Sequence, residues 1–249
     1  MSAAPQRGIA GLAIITAIMV ATLTSLGVWQ LQRRAQKHAL IAALTERLAA
    51  SPVELPPQSQ WASLDPARDE FRRVRFVATF ANKPDAMVYG AGSALRSDIS
   101  GPGVWAFLPA KLPASEGIVV NAGFVPNTIQ DRAQQDRAAK PLMTGAPLEM
   151  TGYLRFPEAP GKLMPDPDRT KRLWFARDIP SMADALQWGA IAPFYIDLET
   201  PVPASGVPKP GPIDVHLKDD HLQYAITWFG LALVMLGGFI AWLMQRRRG

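Results

Sequence analysis

The C-terminal segment constrains this chain more than any other part of it. Residues 224–244 form a run of about 21 residues without a charge, long enough to cross the roughly 30 Å hydrocarbon core of a bilayer as a helix. Asp219, Asp220 and His221 precede this run, and three arginines, residues 246–248, follow it. The sequence therefore predicts a membrane-spanning helix with a histidine at one membrane surface.

A second apolar run, residues 9–29, lies near the N-terminus. It is longer than the apolar part of a signal peptide, which is about 7–15 residues, and it passes into Trp29, Arg33 and Arg34, a pattern typical of a membrane interface. We therefore expect an uncleaved anchor, with a cleaved signal peptide as the alternative. Helix-forming residues continue to about residue 50, where Ser51-Pro52 ends the helix.

Small residues recur at every fourth position of the first span, at Ala13, Ala17, Ala21 and Ser25. This spacing places them on one helix face and predicts the close approach of another helix. The partner is either the second span or another membrane protein. The alternative is that alanine is simply common in such helices.

The charge of the chain belongs mainly to its ends. The formal net charge is +5, but the region between the spans carries 22 basic against 21 acidic residues, so nucleic-acid binding is not expected. The arginines at 246–248 favour cytoplasmic termini, whereas Arg33, Arg34 and Lys37 favour the opposite; long loops cross membranes largely regardless of their charge. We therefore expect a bacterial inner-membrane protein with both termini cytoplasmic and the main domain periplasmic. The absence of cysteine excludes disulfides and thiolate sites.

The middle of the chain, residues 51–218, has the pattern of a β domain. Residues 74, 76, 78 and 80 are apolar and share one face of a strand, and further strands are expected at about 86–90, 103–112, 117–125, 147–156, 172–178 and 193–198. Helices are expected at about 129–139 and 181–189, the second capped by Ser181. Residues 201–212, with five prolines, are expected to form an extended strap. The fold class is thus a membrane α+β protein, with two transmembrane helices (9–29 and 224–244) flanking a mainly antiparallel sheet or small barrel.

Few residues offer chemistry. The chain has three histidines, His38, His216 and His221, with no pair at the spacing of a helical zinc site, and it has no phosphate-binding or nucleophile motif. We therefore do not expect an enzyme. His38 is interpreted as a solvated helix residue and His216 as a strap or strand residue. The residues from Asn121 to Pro126 are interpreted as a strand running into an ordinary turn, although Gly123 would permit close backbone approach.

His221 is the candidate ligand. In a helix that starts near it, His221, Ala225 and Trp228 share a face, with Tyr224 beside them. An imidazole above such a face is able to ligate haem iron while the porphyrin lies along the helix. The alternative is a solvated interfacial histidine, with Tyr224 and Trp228 as aromatic residues of the membrane interface.

Several blocks of the sequence together resemble the Surfeit locus protein 1 family, the assembly factors of haem–copper cytochrome c oxidases. The blocks follow the family's order along almost the whole chain: residues 27–33 with Lys37, 71–80, 119–126, 152–155 with Pro157 and Glu158, Trp174 with Asp178, 182–183, and 221–229. The last block, His-Leu-Gln-Tyr-Ala-Ile-Thr-Trp-Phe, is the most specific. Two departures are Asn-Ala-Gly-Phe-Val-Pro, where the family usually has Asn-Arg-Gly-Trp-Val-Pro, and Asp219 and Asp220, where it often has asparagines.

The resemblance implies a function in the maturation of the oxidase. The implied role is to hold or deliver haem a to the catalytic subunit, with His221 as the iron ligand. The helix spacing described above adds Tyr224 and Trp228 as further cofactor-binding residues. The implied partners are oxidase subunit I, the haem a synthesis machinery and the lipid bilayer. The alternative function is a membrane scaffold that binds the assembling subunit without carrying a cofactor.

Overall fold

A computed structural model of the chain describes residues 4–93, 95–113, 116–128, 134, 140–214 and 219–248, with side chains of the first helix described from residue 9. The described residues form two compact units, a helix hairpin (residues 1–43 with 217–249) and a β domain (residues 44–216). The predicted helix at 129–139 lies almost entirely outside the described residues, and His216 lies outside them as well.

The two long helices are α1, Ala4–Ala49, and α4, His221–Arg248. Both are long and apolar enough to cross a membrane. Together with the sheet domain between them, they confirm the predicted membrane α+β fold. Helix α1 ends at Ala49, shortly before Pro52, because the residue that precedes a proline disfavours the helical conformation.

The hairpin has a heptad seam. Most of the less exposed positions of α1 alternate in steps of three and four residues, as do those of α4, which is the spacing of an antiparallel coiled coil. The covered positions include Ala13, Thr16, Val20, Leu23, Gly27 and Gln30 on α1, and His221, Ala225, Trp228, Ala232, Met235 and Phe239 on α4. Gly27 lies against the ring of Phe229, so close that an added Cβ would be 2.6 Å from a ring carbon.

The small-residue ridge does not face this seam. Ala17, Ala21 and Ser25 are exposed, and only Ala13 of the four is partly covered by described residues. A spacing of four residues drifts around a helix with 3.6 residues per turn, whereas alternating steps of three and four stay on one face. Of the two partners considered for the ridge, the second span is therefore excluded.

The described part of the β domain contains eight strands and short helices. The strands are β1 Val53–Glu54, β2 Arg73–Phe80, β3 Ala86–Gly92, β4 Ser100–Lys111, β5 Gly117–Pro126, β6 Leu148–Arg155, β7 Leu173–Trp174 and β8 Ile191–Thr200. The short helices are a 3-10 helix Gln58–Ser63, α2 Pro66–Asp69, a 3-10 helix Lys140–Leu142 and α3 Ile179–Ala185. The predicted strands are confirmed, although the one expected at 172–178 is reduced to the two residues of β7.

Five of the strands close into a barrel. The sheet order is β1-β2-β6-β8-β5-β4-β3-β7, and a further pairing of β2 with β4, at Thr79 with Lys111 and Phe80 with Ala110, joins the ends of the ring. Within the ring, β5 and β8 pair in parallel and the other neighbours pair antiparallel. This ring order and polarity are those of an oligonucleotide/oligosaccharide-binding (OB) barrel, which confirms the predicted small barrel.

Successive side chains of a strand point to opposite faces of the sheet, and two hydrophobic cores result, one on each face. The first fills the barrel and includes Phe76, Leu108 and Phe194. The second covers the outer face of β4 and β5, where α3 and Trp174 pack over Trp105 and Phe107. An OB barrel binds its ligands on the face of these two strands. Because the chain buries that face itself, the barrel does not offer it to an oligonucleotide.

One local prediction is corrected. Asp178, rather than Ser181, caps α3, because its carboxylate accepts a hydrogen bond from the backbone N–H of Ser181 at 3.2 Å. Strand β4 ends at Lys111, close to the end of the strand expected at about 103–112.

The proline-rich strap is fastened to the barrel at Gly123. The backbones of Phe124 and Lys209 exchange two hydrogen bonds, of 3.1 and 2.8 Å. Gly123 has φ = +123°, and a Cβ added to it would be 2.3 Å from the carbonyl carbon of Lys209. The predicted strand runs to Pro126 and a turn follows it at residues 127–128, and of the two interpretations of Gly123 the close backbone approach is confirmed.

Candidate functional site

Helix α4 begins at His221, and two aspartates arrange its first turn. A carboxylate oxygen of Asp219 accepts a hydrogen bond from the backbone N–H of His221 at 3.1 Å, and the backbone oxygen of Asp220 accepts one from the N–H of Tyr224 at 3.1 Å. The first bond satisfies an N–H group that has no partner within the helix, and the second is the first regular backbone bond of the helix. They fix His221 in the first turn, at the end of the apolar run.

The His221 imidazole faces α1. Its Nδ1 lies 2.8 Å from Oε1 of Gln30 in a partly buried contact. An amide oxygen accepts hydrogen bonds, so this contact suits the Nδ1–H tautomer, in which Nε2 presents a lone pair. Among the residues that the structure describes, Nε2 has no hydrogen-bond partner. The imidazole is thus fixed at one nitrogen and available at the other.

Asp219 joins the two helices at the same level. Its Oδ2 is 2.5 Å from Nε2 of His38 and 3.6 Å from Nε of Arg34. The hydrogen bond with His38 lowers the pKa of the Asp219 carboxyl group, with the backbone N–H of His221 as a further cause. The interpretation of His38 as a solvated residue is therefore wrong in part: its side chain is half exposed but bound to Asp219.

Tyr224 and Trp228 have different surroundings. Tyr224 is 54% exposed and Trp228 is partly covered, whereas Ala225, between them, is 1% exposed. A porphyrin therefore cannot lie over Ala225, as the shared-face argument expected, because the helix hairpin covers that residue. Of the residues one turn from His221, Tyr224 is exposed and Ala225 is covered.

The chemistry of this site offers a haem iron one ligand, the His221 imidazole. An imidazole with its Nδ1 bonded and its Nε2 free is the usual form of a metal-ligating histidine. Tyr224 supplies an exposed aromatic surface beside it. The seam itself is closed, since Gly27 and Phe229 are in contact about one turn of α1 below Gln30.

The β domain holds a buried polar cluster. Arg155, 6% exposed, binds Glu70 through Nε at 2.5 Å and Asp197 through Nη1 at 2.8 Å, and its guanidinium lies 4.4 Å from the centre of the Phe71 ring. Asn121 donates a hydrogen bond to Asp197 at 2.7 Å and accepts one from the backbone N–H of Gly123 at 3.2 Å. The cluster ties β5, β6 and β8 together.

This cluster is a structural brace. Arg177 lies in it, and its Nε and the Tyr195 hydroxyl have no hydrogen-bond partner among the described residues; burial raises the pKa of that hydroxyl. The cavity beside it, lined by Asn121, Arg155, Arg177 and Asp197, has a volume of about 20 Å³, enough for one water molecule. It is far too small for a porphyrin.

A larger cavity of the β domain also lacks a haem ligand. It is an open groove of about 700 Å³ between α3 and the start of β8. The described residues that line this groove include three prolines and Asp184, but no histidine, methionine or tyrosine. Among the described residues, moreover, no three histidine, aspartate or glutamate side chains form a group that would hold a metal ion.

The comparisons with known proteins agree with the sequence blocks described above. A sequence model described as the SURF1 family matches residues 17–233, which include most of the first long helix, slightly less than half of the second and the whole barrel. This chain belongs to the SURF1 family. The resemblance to the Surfeit locus protein 1 family is thereby confirmed.

Relatives within the SURF1 family are similar over most of their length. A SURF1-like protein of Monosiga brevicollis is 29% identical over 257 residues, covering 100% of this chain and 92% of the relative. A SURF1-like protein of Drosophila melanogaster is 31% identical, covering 93% and 77% respectively. Surfeit locus protein 1 of Homo sapiens is 30% identical, covering 85% and 70%.

The SURF1 blocks separate into two groups in the structure. Residues 27–33 and 221–229 meet in the helix hairpin through Gln30 and His221. Asn121, Arg155 and their neighbours meet in the brace of the barrel. Sequence reasoning found His221 but missed the roles of Gln30 and of the His38–Asp219 pair. The heptad steps that lead along α1 to Gln30 were the available signal.

Proposed function

We propose that this SURF1-family protein is an assembly factor for a haem–copper cytochrome c oxidase, which holds or delivers haem a during maturation of the catalytic subunit. The observation that carries the proposal is the His221 imidazole at the start of a membrane-spanning helix, fixed through Nδ1 and, among the described residues, unpartnered at Nε2. Haem a would supply the redox-active iron. The chain would supply one ligand, an aromatic neighbour in Tyr224 and, more distantly, Trp228.

The same proposal includes location and partners. The partners are oxidase subunit I and the haem a synthesis machinery, within the lipid bilayer. The location is a bacterial inner membrane, with cytoplasmic termini and a periplasmic β domain. The arginines at 246–248 and the length of the chain between the two spans support this orientation. The function requires binding and transfer, and no catalytic residue is assigned.

Replacing His221 tests the cofactor. Full-length protein purified from cells that make haem a is expected to show a Soret band, and His221→Ala is expected to lose it, because the lone pair at Nε2 is removed. Visible spectra of the two proteins check this. His38→Ala is the matched control and should keep the band, since the Nε2 of His38 is already bound to Asp219. An equal band in wild type and His221→Ala would remove His221 as the ligand.

A second candidate function is a scaffold for the assembling subunit without a cofactor. It is favoured by the exposure of Ala17, Ala21 and Ser25, which the hairpin leaves uncovered. Small side chains on an uncovered face of a membrane helix permit close packing of another helix.

Larger side chains on this face test the scaffold. Ala17→Leu with Ala21→Leu is expected to reduce co-purification with oxidase subunit I by about tenfold, because the bulkier residues keep a partner helix away. Ile14→Leu with Ile18→Leu, at exposed positions in the same part of α1, is the control. Undiminished co-purification of the double leucine variant at positions 17 and 21 would exclude this face as the contact.

A further inference from the structure

Gln30 is the residue of α1 that contacts the His221 side chain through a hydrogen bond. The two residues are 191 positions apart, and their side chains meet across the seam at 2.8 Å. Gln30 occupies a covered position of the heptad series, and the next residue of its type, Gln32, is exposed on another side of the helix. The contact therefore depends on the register of the hairpin and not on a general abundance of glutamine.

The amide of Gln30 determines which imidazole nitrogen is protonated. A neutral imidazole has one donor and one acceptor nitrogen, and its tautomer follows the hydrogen bond that it makes. With the Gln30 oxygen at Nδ1, the proton stays there and the lone pair stays at Nε2. The same bond limits rotation of the ring.

We infer that Gln30 is the positioning residue of the haem site: it holds His221 as the Nδ1–H tautomer and leaves Nε2 available to the iron. This inference rests on the proposed function for its haem part, but its tautomer part concerns the protein alone. Partners of this kind typically change metal affinity by about 10–100-fold when they are removed.

The backbone of His221 is held by contacts that do not involve Gln30. Asp219 holds the backbone of His221 through a separate bond, and it is itself held by His38 and Arg34. Loss of the Gln30 amide would thus leave the helix start in place and release only the ring. Gln30→Leu is a suitable variant because leucine is apolar, of similar size and compatible with a helix seam.

The first experiment uses the protein without haem. Nitrogen-15 spectra of the full chain in nanodiscs, with labelled histidine rings and at about pH 8, where imidazole is neutral, report the tautomer of each histidine. The three histidines are assigned by His38→Ala and His216→Ala. We expect Nδ1–H for His221 in the wild type and in Gln32→Leu, and a mixture of tautomers in Gln30→Leu. An Nε2–H tautomer in the wild type, or no change in Gln30→Leu, would overturn the inference.

The second experiment uses haem-loaded protein. Gln30→Leu is expected to retain haem about 10–100-fold less tightly than the wild type. Gln30→Glu keeps an acceptor of the same length, so it should restore binding while lowering the reduction potential, because a carboxylate draws the Nδ1 proton more strongly and favours ferric iron. Equal haem affinity and equal reduction potential in the wild type, Gln30→Leu and Gln30→Glu would overturn the inference. Wild-type protein without haem would instead contradict the proposed function, and the tautomer result would still decide the role of Gln30.

Discussion

Gly123→Ala is expected to destabilise the β domain by about 2–5 kcal/mol. The left-handed conformation, φ = +123°, costs an L-residue about 1–2 kcal/mol, and forcing a methyl group into a packed site costs about 1–3 kcal/mol more. The added Cβ would meet backbone atoms of Lys209 and Pro210 at 2.3 and 2.4 Å, and backbone cannot move aside as a flexible side chain does. The strap would therefore detach from β5. Thermal unfolding of the full chain, followed by tryptophan fluorescence, measures the effect.

Gly101→Ala separates the two causes. Gly101 also has a positive φ, of +77°, but no described atom lies within 4 Å of an added Cβ. Gly101→Ala should therefore lower the free energy of unfolding only by the conformational contribution, about 1–2 kcal/mol. Gly161→Ala, with neither feature, should be close to neutral. If Gly123→Ala unfolded at the same temperature as Gly101→Ala, the strap would not be packed tightly on the barrel.

Most strands of the barrel could be predicted because their signals are local. Residues 73–80 alternate with period two, and glycine or proline bounds several of the other strands. The closure of the ring at Phe80 and Ala110, and the parallel pairing of β5 with β8, could not be predicted. These pairings join segments far apart in the sequence, and no local pattern specifies which strand edges meet.

In the candidate site, too, some features could be predicted from the sequence and others could not. The position of His221 at a helix start could be predicted from the change from charged to apolar residues, and the structure begins α4 at that residue. The contact between His221 and Gln30 could not be predicted, because it depends on the register in which α1 packs against α4. For the same reason, the ridge of small residues did not identify the face of α1 that α4 covers. A repeat in the sequence of one helix does not indicate which side of it the other helix contacts.

Arg155→Met is expected to destabilise the β domain by about 3–5 kcal/mol, because removing one partner of a buried ion pair leaves the other charges uncompensated. Arg155 is the shared partner of Glu70 and Asp197, and both carboxylates are largely buried. Methionine has a similar length but no donor, and it loses the contact of the guanidinium with the Phe71 ring. At about 2–4 °C per kcal/mol for a domain of this size, the melting temperature should fall by roughly 6–20 °C.

Arg75→Met is the matched control. Arg75 binds Glu54 at 2.6 Å, a distance like those of Arg155, but the two side chains are 55% and 73% exposed. Water screens an exposed pair, so this change should cost less than about 1 kcal/mol. Adding Asp197→Asn to Arg155→Met should recover part of the loss, because one of the two unpaired charges is then removed. The brace would be disproved if Arg155→Met were no more harmful than Arg75→Met, since burial is the property that distinguishes the two arginines.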